Sequence, residues 1–306
     1  MTSLREVTPR HHHFGTFYQL KSLPHPEGLP RIAVIGNCQA ESLRILLDSA
    51  GAGLSFRIPP IHEWEASDLP FVRTALAHTD VLIVQQVRDD YRGLPVGTAQ
   101  LATLLPRAAR VVRFPVLRFD ALNPYLAIIR PPNDPGLTPP LVPYHDLRLF
   151  AQAAGLRQRH PVPPEAFVAC ARVNVAELAR RELRDGIVAM SDYLESNPVW
   201  HTLNHPDNAT LAELAARVLR ELGMSGEVKP PADREMLGRL QAPILPAAAE
   251  ALGVSTHRPT WLQDGEPIAQ SEIDAAHLDF YAAYPEAVTA GLRRHAARLN
   301  TLGFTQ

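Results

Sequence analysis

Residues 31–43 read Arg-Ile-Ala-Val-Ile-Gly-Asn-Cys-Gln-Ala-Glu-Ser-Leu and carry the clearest structural signal in the chain. The apolar run 32–35 is rich in β-branched residues, which predicts a strand buried on both faces, as in a parallel sheet. Gly36 ends the run and permits a tight turn. After the turn, apolar residues recur at three- and four-residue steps, which predicts a helix. Asn37 directly precedes it and is a residue type favoured as an N-cap. The stretch therefore predicts a strand, a turn and a helix in direct succession.

Cys38 falls in the first turn of the predicted helix. Unpaired backbone N–H groups and the positive end of the helix dipole favour an anion there, so we expect a lowered thiol pKa and a reactive thiolate. The same N–H groups are able to hold an oxyanion or a phosphate. A single cysteine is also often a small buried hydrophobic residue, and both interpretations stay open at this point. The motif lacks the features of the common nucleotide-binding loops.

Further apolar runs extend this pattern along the chain. Residues 80–87 predict a second buried strand and residues 110–116 a third, with a doubtful, proline-interrupted strand at 54–61. Because helical spacing separates these runs, we predict an α/β fold with a doubly wound, mostly parallel sheet of the flavodoxin-like kind and a helical C-terminal half. The helices predicted in that half cover residues 163–197, 209–222, 233–240, 246–252 and 275–302.

Polar residues follow the second buried strand, at the edge where open parallel sheets bind ligands. Gln85 and Gln86 end this strand, and one of them is a candidate contact for a ligand or an oxyanion. The alternative for either residue is a loop amide that satisfies the local backbone. Arg88 follows in a polar cluster and is a candidate phosphate contact.

Composition and net charge indicate an ordinary globular protein and argue against some classes of binding partner. The chain has 306 residues, a net charge of −2 and 46% hydrophobic residues, as in an ordinary globular protein. This charge gives no indication of bulk binding to nucleic acid or to an acidic membrane. Only Lys21 and Lys229 among the basic residues are lysines, which favours arginine–phosphate contacts over lysine chemistry.

Cysteine content and hydropathy indicate a compartment. Cys38 and Cys170 do not make a disulfide framework, and Cys170 fits the buried side of a helix. No apolar run is long enough for a membrane span, and residues 1–20 lack the apolar centre of a signal peptide. We expect a soluble, cytoplasmic protein without a resident metal.

Changes in composition divide the chain. Residues 1–30 contain three successive histidines and several prolines and predict a solvated N-terminal arm. Residues 31–306 predict a single α/β catalytic domain, with its helical portion at about 145–306. Residues 124–143 hold seven prolines and predict a long irregular connection, and such loops are often functional.

Two histidine motifs lie beyond this connection. Residues 144–146 read Tyr-His-Asp, and His145 is a candidate ligand contact or a surface residue beside a helix cap. His205 precedes a proline, which restrains its backbone, and a helix follows. A positioned histidine is the base that a cysteine nucleophile needs, so His205 is the candidate base, and His201 is the competing residue. A structural role for His205 stays open as well.

These motifs resemble those of the WcbI family of capsule polysaccharide biosynthesis proteins. The resemblance covers residues 31–303 and rests on Gly-Asn-Cys-Gln at 36–39, the glutamines after the second buried strand, Tyr-His-Asp at 144–146 and Asn-His-Pro at 204–206. It implies an acyltransferase that takes acetyl from coenzyme A and O-acetylates a sugar of a surface polysaccharide. It also implies a core akin to that of the SGNH hydrolases.

On both grounds we assign roles to the candidate residues. Cys38 and His205 are the candidate catalytic pair. The candidates for oxyanion or substrate contacts are Asn37, Gln39 and Gln85. The candidates for cofactor binding are Gly36, Arg88, Tyr144 and His145. An SGNH triad places an Asp three residues before its histidine, where this chain has Thr202, so we predict a Cys–His dyad.

The leading hypothesis is acyl transfer from acetyl-coenzyme A to a sugar or polysaccharide hydroxyl. Cys38 either carries the acetyl group as a thioester or lies beside the donor thioester. Two other classes stay open: a thiol-dependent esterase or deacetylase, and a non-catalytic glycan- or nucleotide-binding protein of polysaccharide assembly. A homo-oligomer is also left open. We expect rapid alkylation of Cys38 at neutral pH if the protein is either kind of enzyme.

Overall fold

The computed structural model describes residues 7–24, 28–131, 134 and 136–305. Three of the prolines in the arm and the irregular connection, Pro26, Pro132 and Pro135, lie outside the described residues. The helices are α1 Pro9–His13, α2 Cys38–Ser49, α3 Leu69–Ala77, α4 Thr98–Ala102, α5 Leu147–Ala153, α6 Pro164–Asp185, α7 Ser191–Ser196, α8 Asn208–Glu221, α9 Pro246–Ala251, α10 Gln270–Ala283, α11 Pro285–Arg294 and α12 Ala296–Thr301. The strands are β1 Arg31–Ile35, β2 Leu54–Ser55, β3 Val81–Gln85, β4 Arg110–Phe114, β5 Leu126–Ala127, β6 His145–Asp146, β7 Arg157–Gln158, β8 Trp200–Thr202, β9 His205–Pro206, β10 Leu240–Gln241, β11 Trp261–Gln263, β12 Glu266–Ile268 and β13 Phe304–Thr305.

The chain forms two compact units, and each unit draws on three separate stretches of sequence. Unit 1 comprises Met1–Val116, Leu178–Met190 and Asn208–Met236. Unit 2 comprises Leu117–Glu177, Ser191–Asp207 and Leu237–Gln306. A single catalytic domain over residues 31–306 stays a prediction.

The centre of unit 1 is a parallel sheet with the strand order β2-β1-β3-β4. The pairing of β1 with β3 aligns Ile32 with Val81, and the pairing of β3 with β4 aligns Val84 with Arg113. The predicted α/β class with a mostly parallel sheet is therefore confirmed. The doubtful strand at 54–61 exists but pairs over two residues only, Leu54 and Ser55, and ends well before its prolines.

Both faces of the two central strands, β1 and β3, are buried, as their continuous apolar runs predict, whereas the edge strand β4 is partly exposed. Ala33 and Leu82 lie side by side and belong to one core cluster. Val34 and Ile83 follow them in sequence, point to the opposite face and are buried as well. Helix α8 packs against α2 and β4. The carboxyl ends of β1, β3 and β4 thus form one edge of a well-packed sheet.

The N-terminal segment differs from the predicted solvated arm. Phe17 and Tyr18 are 2% and 5% exposed and belong to the same core cluster as the sheet. The Tyr18 hydroxyl donates to Asp68 Oδ1 at 3.0 Å, and Arg10 forms an ion pair with Asp68. Residues 7–24 therefore pack into unit 1, and the prediction of a solvated arm is wrong for this segment.

Unit 2 is built around helices α5, α10, α11 and α12. Phe150 of α5 stacks on Tyr281 of α10, with the ring centroids 4.4 Å apart. Short antiparallel pairings surround this core: β5 with β6, β8 with β9, β7 with β13, and β10-β11-β12. The C-terminal half is thus helical as predicted, with small sheets in addition. Within the described ranges, no helix has both the length and the apolar character needed to cross a bilayer.

Two long predicted helices are interrupted. The helix predicted over 163–197 stops after α6 because Gly186 adopts a φ of 58°, the left-handed conformation that ends many helices. The helix predicted over 275–302 begins earlier, at Gln270, and is divided into α10, α11 and α12. Pro285 begins α11, since proline is tolerated at the first position of a helix but not in its interior.

The helix predicted over 233–240 is absent. Two of its residues instead form hydrogen bonds with the first residue of α8, Asn208. Glu235 Oε2 accepts from the Asn208 N–H at 2.8 Å, and Asn208 Oδ1 accepts from the Met236 N–H at 3.0 Å. The segment therefore holds the start of α8. A helical pattern in the sequence could not reveal this long-range contact.

We expect Phe17→Ala to lower the free energy of unfolding by about 3–5 kcal/mol, the usual cost of truncating a buried aromatic side chain. Leu20→Ala is the matched control, because Leu20 is 45% exposed. Urea denaturation followed by tryptophan fluorescence measures both. Equal, small losses in the two variants would contradict the packing of the N-terminal segment in unit 1.

Candidate functional site

Cys38 lies where the sequence predicts it, at the first position of α2. Strand β1 ends at Ile35, and Asn37 caps the helix by accepting the Gln39 N–H on its side-chain oxygen at 2.9 Å. The predicted strand, turn and helix, and the predicted N-cap, are confirmed. The cysteine is half-buried at the carboxyl edge of the sheet in unit 1.

The side chain of Gln85 fixes this turn. Its Oε1 accepts from the Asn37 N–H at 2.8 Å, and its Nε2 donates to Gln39 Oε1 at 3.2 Å and to the Pro115 carbonyl at 3.4 Å. Gly36 is required for this approach, because a Cβ there would lie 2.6 Å from Gln85 Oε1. One amide thus connects the ends of β3 and β4 to the turn before Cys38.

These contacts change the expectation for the oxyanion donors. The Gln85 amide uses its oxygen and its nitrogen to hold the turn, and the side chains of Gln85 and Gln39 are 2% and 0% exposed. The Asn37 N–H is taken by Gln85. The contacts therefore give Asn37, Gln39 and Gln85 a structural part, and they do not support a Gln85 amide that points at a ligand.

Burial raises the pKa of the Cys38 thiol to about 11. The backbone N–H groups of Cys38 and Gln39 favour the thiolate, as expected at a helix N-terminus, but desolvation is the larger effect. The expected lowered pKa is therefore wrong in this structure, and the thiol is protonated at neutral pH. Cys170 is 5% exposed, which confirms its predicted burial.

His205 lies in unit 2, at the start of β9 in a hairpin with β8. Burial, and then the neighbouring His201, lowers its pKa to about 4, so its imidazole is neutral at pH 7. Its Nδ1 is buried and finds no hydrogen-bond partner among the described residues. His205 is therefore in the protonation state of a base.

Tyr144 supports the turn before His205. Its hydroxyl donates to Asn204 Oδ1 at 2.7 Å and lies 2.9 Å from Thr202 Oγ1. Its ring meets the His205 ring edge-on, with centroids 6.5 Å apart, and stacks on Trp261. Because Tyr144 is 3% exposed and its hydroxyl is engaged, these contacts support a positioning role and not the predicted cofactor contact.

Arg258 supports the same hairpin and was missed in the sequence. Its guanidinium donates to the carbonyls of Trp200 and Ala242 and to Gln241 Oε1. Burial lowers its pKa to about 10. No local sequence signal marks this role, because the acceptors lie 16 or more residues away along the chain and two of them are backbone carbonyls.

His145 lies in the core of unit 2, where its ring contacts those of Phe150 and Tyr281. It is 1% exposed, its Nδ1 is 3.1 Å from the Tyr281 hydroxyl, and burial lowers its pKa to about 4. Asp146 caps α5 by accepting the Arg148 N–H at 2.8 Å. The contacts of His145 are those of a core residue, so they lend no support to a cofactor contact.

Arg88 is exposed and lines a cavity of about 320 Å³ in unit 1. Gln86, the second of the two glutamines, lies at the same cavity. In the part of the chain that the structure describes, no group of three or more His, Cys, Asp or Glu side chains is arranged to hold a metal ion.

The family model described as polysaccharide biosynthesis enzyme WcbI matches residues 31–227. The chain belongs to the WcbI family. The match includes both the Cys38 turn and His205, and it makes the chain a member of a family of polysaccharide biosynthesis enzymes. No curated protein matches the chain.

A solved WcbI structure has the same fold. It is 19% identical in sequence, and the comparison covers 90% of this chain and 97% of that chain with a TM-score of 0.73. It is described as WcbI, a novel polysaccharide biosynthesis enzyme, in the form of the native protein without a disulfide bond between coenzyme A and one of its cysteines.

The raised pKa overturns the rapid alkylation at neutral pH that the sequence led us to expect of an enzyme with this thiol. We expect iodoacetamide to alkylate Cys38 slowly at pH 7 and about tenfold faster for each added pH unit up to pH 10, because only the thiolate reacts. With a pKa of about 11, the thiolate fraction grows as the pH rises towards that value. Mass spectrometry of the alkylated peptide measures the rate, and Cys38→Ser is the control for reaction at Cys170. A rate that levels off below pH 8 would contradict the raised pKa.

Proposed function

We propose that this chain is an O-acetyltransferase that moves an acetyl group from coenzyme A to a hydroxyl of a surface-polysaccharide sugar. The observation that carries the proposal is the position of Cys38, a half-buried thiol at the start of a helix on the carboxyl edge of a parallel sheet. Support comes from the polysaccharide role of the family and from the solved WcbI, which is described as being without a disulfide bond between coenzyme A and one of its cysteines.

His205 acts in this proposal as the general base. It takes the proton from the sugar hydroxyl while the hydroxyl oxygen attacks the thioester carbonyl. The carbon–sulfur bond then breaks, and the proton passes to the leaving thiolate, which regenerates neutral His205. The lowered pKa of about 4 keeps the imidazole unprotonated at pH 7, so it is ready to accept.

The protonated thiol of Cys38 favours direct transfer over an acetyl-enzyme. With a pKa of about 11, forming the thiolate at pH 7 costs about 5 kcal/mol, at 1.36 kcal/mol for each pH unit. Direct attack by the sugar on the donor does not need that thiolate. Cys38 then lies beside the donor thioester, and its backbone N–H at the helix start stabilises the oxyanion.

The other candidate residues position the two catalytic residues or offer a contact to a phosphate. Gly36, Asn37, Gln39 and Gln85 hold the turn in the shape that presents the Cys38 backbone. Tyr144 orients the turn that carries His205. Arg88 offers a guanidinium for a phosphate.

We expect His205→Gln to lower the rate of acetyl transfer by about 100-fold or more, the usual contribution of a general base.

The activity of Cys38→Ser is expected to stay within about tenfold of wild type, and the wild-type protein is expected to carry no acetyl mass on Cys38, since direct transfer needs no acetyl-enzyme. The assay follows free coenzyme A released from acetyl-coenzyme A in the presence of de-O-acetylated surface polysaccharide or of sugar phosphates. The wild-type rate is expected to fall only below about pH 4, where His205 becomes protonated.

His201→Gln is the matched control, since His201 lies in the same hairpin. A loss in this control with full activity in His205→Gln would contradict the assignment of the base. Hydrolysis of acetyl esters without any transfer from acetyl-coenzyme A would favour an esterase instead.

A further inference from the structure

Unit 1 contains a cavity of about 320 Å³ in which positive charge predominates. Three arginines are among its lining residues, Arg88, Arg181 and Arg184, together with one acidic residue, Asp185. This volume admits a phosphate or diphosphate group together with part of the molecule that carries it. Planar guanidinium groups match phosphate oxygens through paired hydrogen bonds, which makes phosphate the natural ligand class for such a wall.

Two of the three arginines, Arg181 and Arg184, are held in place by neighbouring groups. Arg181 Nη1 donates to the Val116 carbonyl at 3.3 Å. Arg184 donates to both carboxylate oxygens of Asp185, at 2.7 Å and 2.6 Å. Arg184 and then Arg181 lower the pKa of Asp185, as expected where positive charge is concentrated. The wall is therefore an organised basic surface at the end of α6.

This cavity is close to the Cys38 turn within the same unit. Its wall includes Gln86 and Pro115, which directly follow β3 and β4. Gln85 spans the interval, because one end of its amide holds the Asn37 N–H and the other end donates to the Pro115 carbonyl. Neighbouring strands are about 4.8 Å apart, so the ends of β1 and β4 on either side of β3 are about 10 Å apart.

We propose that this cavity binds the phosphate group of the acceptor, and that the acceptor is a phosphorylated sugar such as a sugar 1-phosphate or a nucleoside diphosphate sugar. The inference rests on the proposed function for the identity of the reaction. The short distance between the cavity and the Cys38 turn favours the acceptor over coenzyme A as the source of the phosphate. In a sugar phosphate, the ring hydroxyls lie only a few bonds from the phosphate. In coenzyme A, by contrast, a long pantetheine chain separates the sulfur from the diphosphate. Acetylation then precedes assembly of the sugar into the polymer.

The test is a calorimetric titration of the full chain with pyrophosphate. We expect saturable binding that Arg88→Ala weakens about tenfold, the usual effect of removing a charged hydrogen-bond donor. Asp185→Asn is expected to tighten binding several-fold, since it removes the carboxylate from the wall. Arg107→Ala is the matched control: Arg107 is exposed in the same unit and lies outside the cavity lining. Its pyrophosphate affinity is expected to stay within twofold of wild type.

Two results would overturn the phosphate site. One is the absence of saturable pyrophosphate binding. The other is equal weakening in Arg88→Ala and Arg107→Ala, which would show a general charge effect. A third variant, Arg184→Gln, keeps the test decisive if Arg88→Ala fails to fold, because Arg184 is 54% exposed in its side chain and is expected to show a similar loss.

Repeating the titration in saturating coenzyme A identifies the source of the phosphate. An unchanged pyrophosphate affinity supports the acceptor. Competition, together with weaker coenzyme A binding in Arg88→Ala, assigns the cavity to the donor and overturns the acceptor part. If pyrophosphate binds and coenzyme A does not bind at all, the cavity assignment is supported and the proposed donor fails. The two proposals can therefore fail separately.

Discussion

The side-chain amide of Gln85 is the constraint on which the candidate site in unit 1 depends. It satisfies the Asn37 N–H, the Gln39 side chain and the Pro115 carbonyl, and it fills the space that a Cβ on Gly36 would occupy. Buried amides of this kind are costly unless all their groups are paired, so a fully paired one specifies a single arrangement. That arrangement fixes the turn before α2 and, through it, the backbone N–H groups around the cysteine.

Burial decides the protonation states at both candidate catalytic residues. At Cys38 the helix N-terminus favours the thiolate, but desolvation outweighs it and raises the pKa to about 11. At His205 the charged form is the protonated imidazolium, so desolvation disfavours protonation and lowers the pKa to about 4. Burial therefore keeps each group neutral at pH 7, a protonated thiol and an unprotonated imidazole. These protonation states favour a mechanism in which His205 activates a sugar hydroxyl over one in which a Cys38 thiolate attacks the thioester.

The sequence predicted the features that depend on neighbours along the chain. The apolar run before Gly36, the N-cap at Asn37 and the parallel sheet follow from local pattern, and all are found. It did not predict features that depend on distant contacts. The role of Arg258 comes from carbonyls far away in the sequence. The pKa of Cys38 depends on the burial of its environment, whereas the sequence showed only the helix end.

In the proposed reaction, the turn held by Gln85 binds the sulfur end of coenzyme A. Calorimetric titration with coenzyme A tests it most directly, on the wild type and on Gly36→Ala, whose Cβ would clash with the Gln85 amide. The account predicts micromolar binding to the wild type and at least about tenfold weaker binding to the variant, about 1.4 kcal/mol. No binding at millimolar coenzyme A, or equal affinities in the two proteins, would contradict it.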